Sequence, residues 1–466
     1  MPNPLAYLAL AIWPIVTIVL FRRLPTDRAL ILSMMLGYLF LPEPPAIFDL
    51  PLMPPLNKHN IPALTVFAVC LWRHGRPGSI LPQNPLGKVL LLVFVFSPLA
   101  TVATNTAPVV FGQVGLPGLG PKDAIALMVQ QFLLVLPFLL ARQFLATGGA
   151  QRELLRALMW GGLVYSLFML IEIRLSPQLN NWIYGYFQHS FAQSIRFGGY
   201  RPVVFLYHGI WVAFFTMTAT IAAWSLWRLG GEGKPSLLIA ALYLTAILVM
   251  AKSFGAMIFA ALLIPAVLFL TRLMQIRVAI LIGLLAIGYP TLKGAELIPE
   301  ERILAAAGAV AEDRANSLQF RFDQEGTLLE RAKEKPLFGW GSWGRNHILD
   351  PVTGFILTVT DGRWIIVLGV YGWVGFLAEF GLLVLPLVLL WRESVAAPHE
   401  RISPFIAPLS LLLAINVFDM IPNATLTPLT WLMAGALTGY AEALRAERLR
   451  LGRTKKDKGL KWQSIM

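Results

Sequence analysis

Long apolar runs separated by short polar turns recur along the whole chain, and that pattern leaves few folds open. Runs of roughly 16–22 apolar residues are long enough to cross the hydrocarbon core of a bilayer as helices. A segment in lipid must satisfy its own backbone polar groups, so the runs predict helices and not irregular chain. They fall at 4–21, 29–42, 60–73, 86–103, 123–142, 155–174, 203–228, 236–251, 254–271, 277–293, 364–391, 404–421 and 427–444. The expected fold class is therefore all-α: a polytopic integral membrane protein with about thirteen transmembrane helices and one long outer loop. Composition agrees, since 14% of residues are charged where a soluble domain carries about 25%.

The net charge of +13 does not point to nucleic acid, because most of it flanks apolar runs as the positive-inside rule requires. The first run has no basic residue before it and Arg22 and Arg23 after it, the reverse of a cleavable signal. It reads as a retained span with the N-terminus outside. Alternating sides from there places 23 of the 38 Lys and Arg residues inside, with nine of the remainder in one long outer interval. The expected organisation is about ten helices over 1–293, an outer loop over 294–363 (periplasmic in the reading given below), about three helices over 364–444 and a basic cytoplasmic tail over 445–466. That tail suits anionic membrane lipid.

Cys70, the single cysteine, lies in an apolar run, so no disulfide or thiolate metal site is available. No HExxH, EF-hand, P-loop or Cys/His ligand spacing occurs, so no metal and no cofactor is expected. Gly339, Gly341 and Gly344 satisfy GxGxxG, but no strand precedes them and the segment is outside, which excludes a dinucleotide site. A tight turn that lets backbone approach a neighbour or a ligand phosphate fits better.

The outer basic residues carry more information. Arg201, Arg314, Arg321, Arg345 and Arg363 all fall near the outer boundary, and arginine grips phosphate oxygens in planar, bidentate fashion. Such donors, already oriented, would stabilise a departing diphosphate. Against this, each could snorkel or pair with a local acid. A helix is expected from Arg314 to about Lys335, stopped by Pro336, with Arg314 and Arg321 on one face. His208 at the start of a span and His347 in the loop are further candidates, each weighed against a structural role. Asp361, directly before a span, is placed to act as a base or to cap the helix. Glu172, Glu379 and Asp419 fall in or at the ends of spans, where acids are functional suspects. Residues 174–201 hold Trp182, Tyr184, Tyr186, Phe187, Phe191 and Phe197, a density suited to the membrane interface.

Three motifs in order carry a family resemblance. Glu334-Lys-Pro-Leu-Phe-Gly-Trp-Gly-Ser-Trp-Gly344 is followed by Asp361-Gly-Arg-Trp-Ile365 and Gly369-Val-Tyr-Gly-Trp-Val-Gly375. Upstream stand Arg314-Ala-Asn-Ser-Leu-Gln-Phe-Arg321 and Gly199-Tyr-Arg-Pro-Val-Val-Phe205. Together they resemble the bacterial O-antigen ligase/polymerase superfamily. The resemblance implies a metal-independent, inverting glycosyltransferase in the bacterial inner membrane, acting at its periplasmic face. Donor and acceptor would be glycans on undecaprenyl diphosphate, with chain-length regulators or export proteins as further partners. In that reading Arg201, Arg314 and Arg321, with Arg345, Arg363, His208, Gly339 and Gly341 around them, bind diphosphate and substrate, and Asp361 or His347 handles the acceptor hydroxyl. Ligases of the family place a histidine at the opening of the span after the long loop, where this chain has Thr360-Asp361-Gly362. That departure favours a polysaccharide polymerase. The alternatives are a ligase moving a finished glycan to a lipid or protein, and, from another class, a transporter or flippase of the lipid-linked saccharide.

Overall fold

A computed structural model of the chain describes residues 1–50, 53–75, 80–196, 198–230, 233–310, 312–396 and 402–459; side chains 310, 313, 314 and 451–459 fall outside the description. The protein is all-α. Its helices are α1 Pro4–Arg23, α2 Thr26–Phe40, α3 Ile61–His74, α4 Pro85–Ala103, α5 Pro121–Phe144, α6 Gly148–Leu175, α7 Leu179–Tyr184 and α8 Gly209–Leu229. They continue as α9 Lys234–Met250, α10 Phe254–Phe269, α11 Arg272–Gly294, α12 Glu300–Val310, α13 Glu312–Lys333, α14 Arg363–Ala396, α15 Ile406–Asp419 and α16 Pro428–Gly459. Two short antiparallel hairpins, Val109–Phe111 with Val114–Leu116 and Ile195–Arg196 with Gly199–Tyr200, and a 3-10 turn of helix at Phe191–Ser194 complete the described elements.

Each of the thirteen apolar runs coincides with a helix. Among the described residues seven of these (α1, α4, α5, α6, α8, α11 and α14) are long and apolar enough to cross a membrane alone. The shorter apolar helices, such as α3 with 14 residues, reach about 21 Å at 1.5 Å per residue. Exposed Leu86, Val89, Leu92, Phe96 and Leu99 follow one another at helical spacing along α4, and exposed Leu5, Leu8, Ile12, Ile15 and Val19 do so on α1. Continuous apolar stripes of this kind face lipid. The chain is a polytopic integral membrane protein.

Close packing follows small residues. A Cβ on Gly435 would lie 2.2 Å from the Phe138 carbonyl oxygen, and one on Gly439 would lie 2.1 Å from that of Arg142, so α16 and α5 touch backbone to backbone. This four-residue glycine spacing is a recurrent way for helices to approach in lipid. Arg142 and Glu442 close the same contact at 2.6 Å.

Two departures from helical chain position the outer end of the bundle. The span expected from 203 begins at Gly209, because Glu172 captures the preceding backbone: its carboxylate accepts the N–H groups of Val203 and Val204, each at 2.7 Å, and of Leu179 at 3.0 Å. Val204 takes φ +52° there. The second departure is a kink in α14 at Gly372, φ +65°. The glycine-tryptophan turn docks into it: Trp340 donates to the Gly369 carbonyl at 2.8 Å and Gly341 to that of Val370 at 2.9 Å, while Trp373 donates to Pro336 at 2.8 Å. A Cβ on Gly339 would stand 2.5 Å from Val370 backbone atoms.

Gly339→Ala should therefore destabilise the protein more than Gly344→Ala. Both positions have positive φ, which costs about 1–3 kcal/mol for a side chain, but Gly344 has nothing within 4 Å of the added Cβ. Thermal melting of the purified variants checks this, and equal melting temperatures would contradict the docking.

Candidate functional site

At the end of the bundle that carries α12 and α13, four separated segments bring charged groups together. α13 is held there by Glu325, one helical turn beyond Arg321. The Glu325 carboxylate accepts from the Tyr289 hydroxyl on α11 at 2.8 Å and from the Trp364 indole N–H on α14 at 3.3 Å. Burial raises the Glu325 carboxyl above the usual range, opposed by those two hydrogen bonds. With α13 so anchored, Arg321 Nη1 donates to the Pro422 carbonyl at 2.8 Å and reaches Asn423 Oδ1 at 3.4 Å. Arg321 Nε lies 3.5 Å from Asp361 Oδ2. Asn423 is set in turn by buried Asp419, which accepts from Asn423 Nδ2 at 2.9 Å and from the Thr425 hydroxyl at 2.6 Å. The sequence marked Asp419 without a partner; its work is to position Asn423 and, through it, Arg321.

Arg201 faces this group from the loop before α8. Its side chain packs over Gly209, where a Cβ would collide with Arg201 Cδ at 2.1 Å. Arg201 is 8% exposed, yet no carboxylate pairs with it among the described residues. Nη2 makes one long bond, 3.3 Å, to the Lys252 carbonyl in the α9–α10 break, and Nε has no partner. Burial, with the charges of Arg196 and Arg321 nearby, pushes its guanidinium down to about 10. An uncompensated buried cation is costly. Arg201 is thus poised to receive an anion.

His208 stands beside it and stays neutral. Its Nδ1 accepts the Ile210 N–H at 3.1 Å, which caps α8, so the ring proton is on Nε2 and is donated to Gln193 Oε1 at 3.1 Å. Burial first, then Arg201, hold its pKa down to about 3. Both ring nitrogens are occupied, and His208 shapes the site without binding phosphate.

Other expected site residues are committed elsewhere. Arg363 grips Glu379 with Nε and Nη2, each at 2.7 Å, a bidentate pair that ties the start of α14 to its middle. Arg345 is 1% exposed and caged by carbonyls of Trp340 at 3.1 Å, Pro117 at 2.6 Å and Ala107 at 3.1 Å. The N–H groups of Gly339 and Gly341 are spent on Lys335 and Val370, so neither is available to phosphate. His347 bonds to the Thr358 hydroxyl at 3.0 Å, inside its own loop, and burial lowers its pKa. Arg314 is in α13, two turns before Arg321, with its side chain outside the described residues. Phe197 also lies outside them.

The site therefore joins Arg201, Arg321 and Asp361, with His208, Asn423 and Asp419 behind them. Among the described residues no group of three or more His, Cys, Asp or Glu side chains is placed to hold a metal ion. Asn423 and Gln193 went unread in the sequence, and Lys252 was read only as a break between spans, since their partners lie on remote segments. No protein-family model matches the chain, and no curated protein matches it.

A cation kept for a ligand should weaken the empty fold. Arg201→Gln is expected to raise unfolding stability by about 1 kcal/mol or more in the absence of substrate, whereas Arg363→Gln, which strands Glu379, should lose roughly 3–5 kcal/mol. Denaturant melts of both variants decide the matter. Destabilisation by Arg201→Gln comparable to that of Arg363→Gln would make Arg201 a structural residue.

Proposed function

We propose that the chain is a glycosyltransferase of the bacterial inner membrane that polymerises oligosaccharide repeat units carried on undecaprenyl diphosphate, giving a surface or exported polysaccharide. The observation that carries this reading is the buried Arg201, without a carboxylate partner among the described residues and within electrostatic reach of Arg321, at a membrane boundary. A lipid-linked diphosphate brings multiple anionic oxygens to that depth. The excess of Lys and Arg on connections at the opposite end supports a periplasmic site, a periplasmic N-terminus and a cytoplasmic C-terminus. Asp361, where ligases of the resembled superfamily carry histidine, favours polymerase over ligase. Clustering of polar groups at one end, with no charged path along the bundle among the described residues, favours an enzyme over a transporter.

The mechanism is a single displacement. Arg201 and Arg321, with Arg314 on the same face of α13, hold the donor diphosphate. Asp361 accepts the proton of the acceptor sugar hydroxyl. The hydroxyl oxygen bonds to the anomeric carbon from the side opposite the leaving group, the carbon–oxygen bond to diphosphate breaks, and its electron pair leaves on phosphate. Configuration inverts. The arginines neutralise the charge that develops on the leaving oxygen, and the diphosphate ester supplies the driving energy without a cofactor. Exposed Trp182 and Phe191, near the entrance of the α8 loop, offer flat faces to sugar rings.

Purified protein with an undecaprenyl-diphosphate oligosaccharide should yield a ladder of longer lipid-linked glycans on a gel. Arg321→Ala should slow it by about 10²–10³-fold and Asp361→Asn by about 10²–10⁴-fold. Transfer only to an added lipid or protein acceptor would make the chain a ligase. Binding without any turnover would leave the transporter reading.

A further inference from the structure

At the other end of α8 lies a cavity of about 820 Å³ that no part of the proposed chemistry uses. Leu229 at the end of α8 lines it, whereas Gly209 at the start of α8 contacts Arg201. The 21 residues between span about 30 Å at 1.5 Å per residue. The two sites are therefore separate.

The cavity sits where α2, α6, α8 and α9 converge, among the connections expected on the cytoplasmic side. Its volume falls in the range of about 300–1,000 Å³ typical of ligand sites. Three cations line it, Arg28, Arg152 and Arg156, against one described acid, Glu153. Glu153 is shared, with Oε2 3.0 Å from Arg28 Nε and Oε1 3.0 Å from Arg156 Nη1. Among the described residues Arg152 has no carboxylate partner. The remaining wall is apolar, with Leu32 and a 61% exposed Trp160. Trp160 lies one helical turn beyond Arg156 on α6, deeper along the helix than the arginines, where an exposed aromatic ring meets the glycerol region below the headgroups.

We propose that this cavity binds the phosphate headgroup of an anionic phospholipid. The arginines take the phosphate, Arg152 foremost because nothing described competes for it. Leu32 and Trp160 cover the glycerol and the first acyl carbons. A free phosphate ion would use the charged rim and leave the apolar wall empty, so the mixed lining selects a lipid. Basic pockets between helices on the cytoplasmic side are a known physical solution to headgroup recognition.

The test is native mass spectrometry of the purified full chain in detergent with phosphatidylglycerol or phosphatidylcholine at equal concentration. Phosphatidylglycerol should remain bound preferentially. The Arg152→Gln, Arg156→Gln double variant should weaken its retention about fivefold per arginine, with phosphatidylcholine unchanged. Glu153→Gln, which removes the only described acid of the pocket, should retain phosphatidylglycerol more tightly than the unaltered chain. Equal retention by the double variant, or weaker retention by Glu153→Gln, would overturn the assignment. Displacement of the lipid by millimolar inorganic phosphate would also overturn it, in favour of a free-anion site.

Discussion

Polar groups carried into a bilayer have no water to fall back on, so each must find a partner within the protein. The irregular parts of this molecule follow from that requirement. Glu172 takes the two N–H groups released where the chain unwinds before α8, and a third at the start of α7. The broken turn of α14 at Gly372 exchanges hydrogen bonds with residues 336–341. Arg345 gathers carbonyl oxygens from a loop more than two hundred residues away, and Arg363 is matched by Glu379. Against this background of satisfied charge, Arg201 stands out. It is 8% exposed, no carboxylate pairs with it among the described residues, and it has one long bond to a carbonyl and an unpartnered Nε. Beside Arg363, matched by a carboxylate, and Arg345, ringed by carbonyls, Arg201 is the cation best placed to take an anion.

What arrives must reach the cluster from the membrane boundary, and the surroundings restrict its chemistry. Arg321 is oriented by a relay from Asp419 through Asn423, and α13 is fixed by Glu325. A rigid pair of guanidinium groups suits an ester with several anionic oxygens, and Asp361 beside Arg321 suits a neutral hydroxyl to be activated next to it. A diphosphate donor and a sugar acceptor satisfy both requirements. The opposite end of α8 offers a different basic pocket, less buried and backed by apolar surface. In the proposed reading the two ends address different anions.

Much of the fold was legible in the sequence, because apolar length alone dictates helices in lipid. All thirteen runs became helices, and the break at Lys252 fell where expected, with φ +52°. The start of α8 was not legible. Residues 203–206 are as apolar as any span, and they unwind because side chains from remote segments take their backbone groups: Glu172 and Tyr165 accept the N–H groups, while Gln188 and Lys58 donate to the carbonyls. The arginines show the same limit. Arg201, Arg345 and Arg363 look alike in sequence, each near an outer helix end. What separates them is the partner, and partners come from segments brought together by the bundle. The glycine motif was read as a turn allowing close approach, which holds, but the neighbour it approaches is the backbone of α14 and not a phosphate.

The most direct measurement of the central claim is equilibrium binding of a short-chain polyprenyl diphosphate to the purified protein. It compares the unaltered chain with Arg201→Gln, Arg321→Gln and the double variant, each shown to be folded by its melting curve. The account predicts that each single change weakens binding about tenfold or more, as expected for loss of a charge-assisted bond worth roughly 1.5–3 kcal/mol. It also predicts that the double change departs from the sum of the two, since both groups grip one ligand. A folded double variant that binds the diphosphate as tightly as the unaltered chain would contradict it.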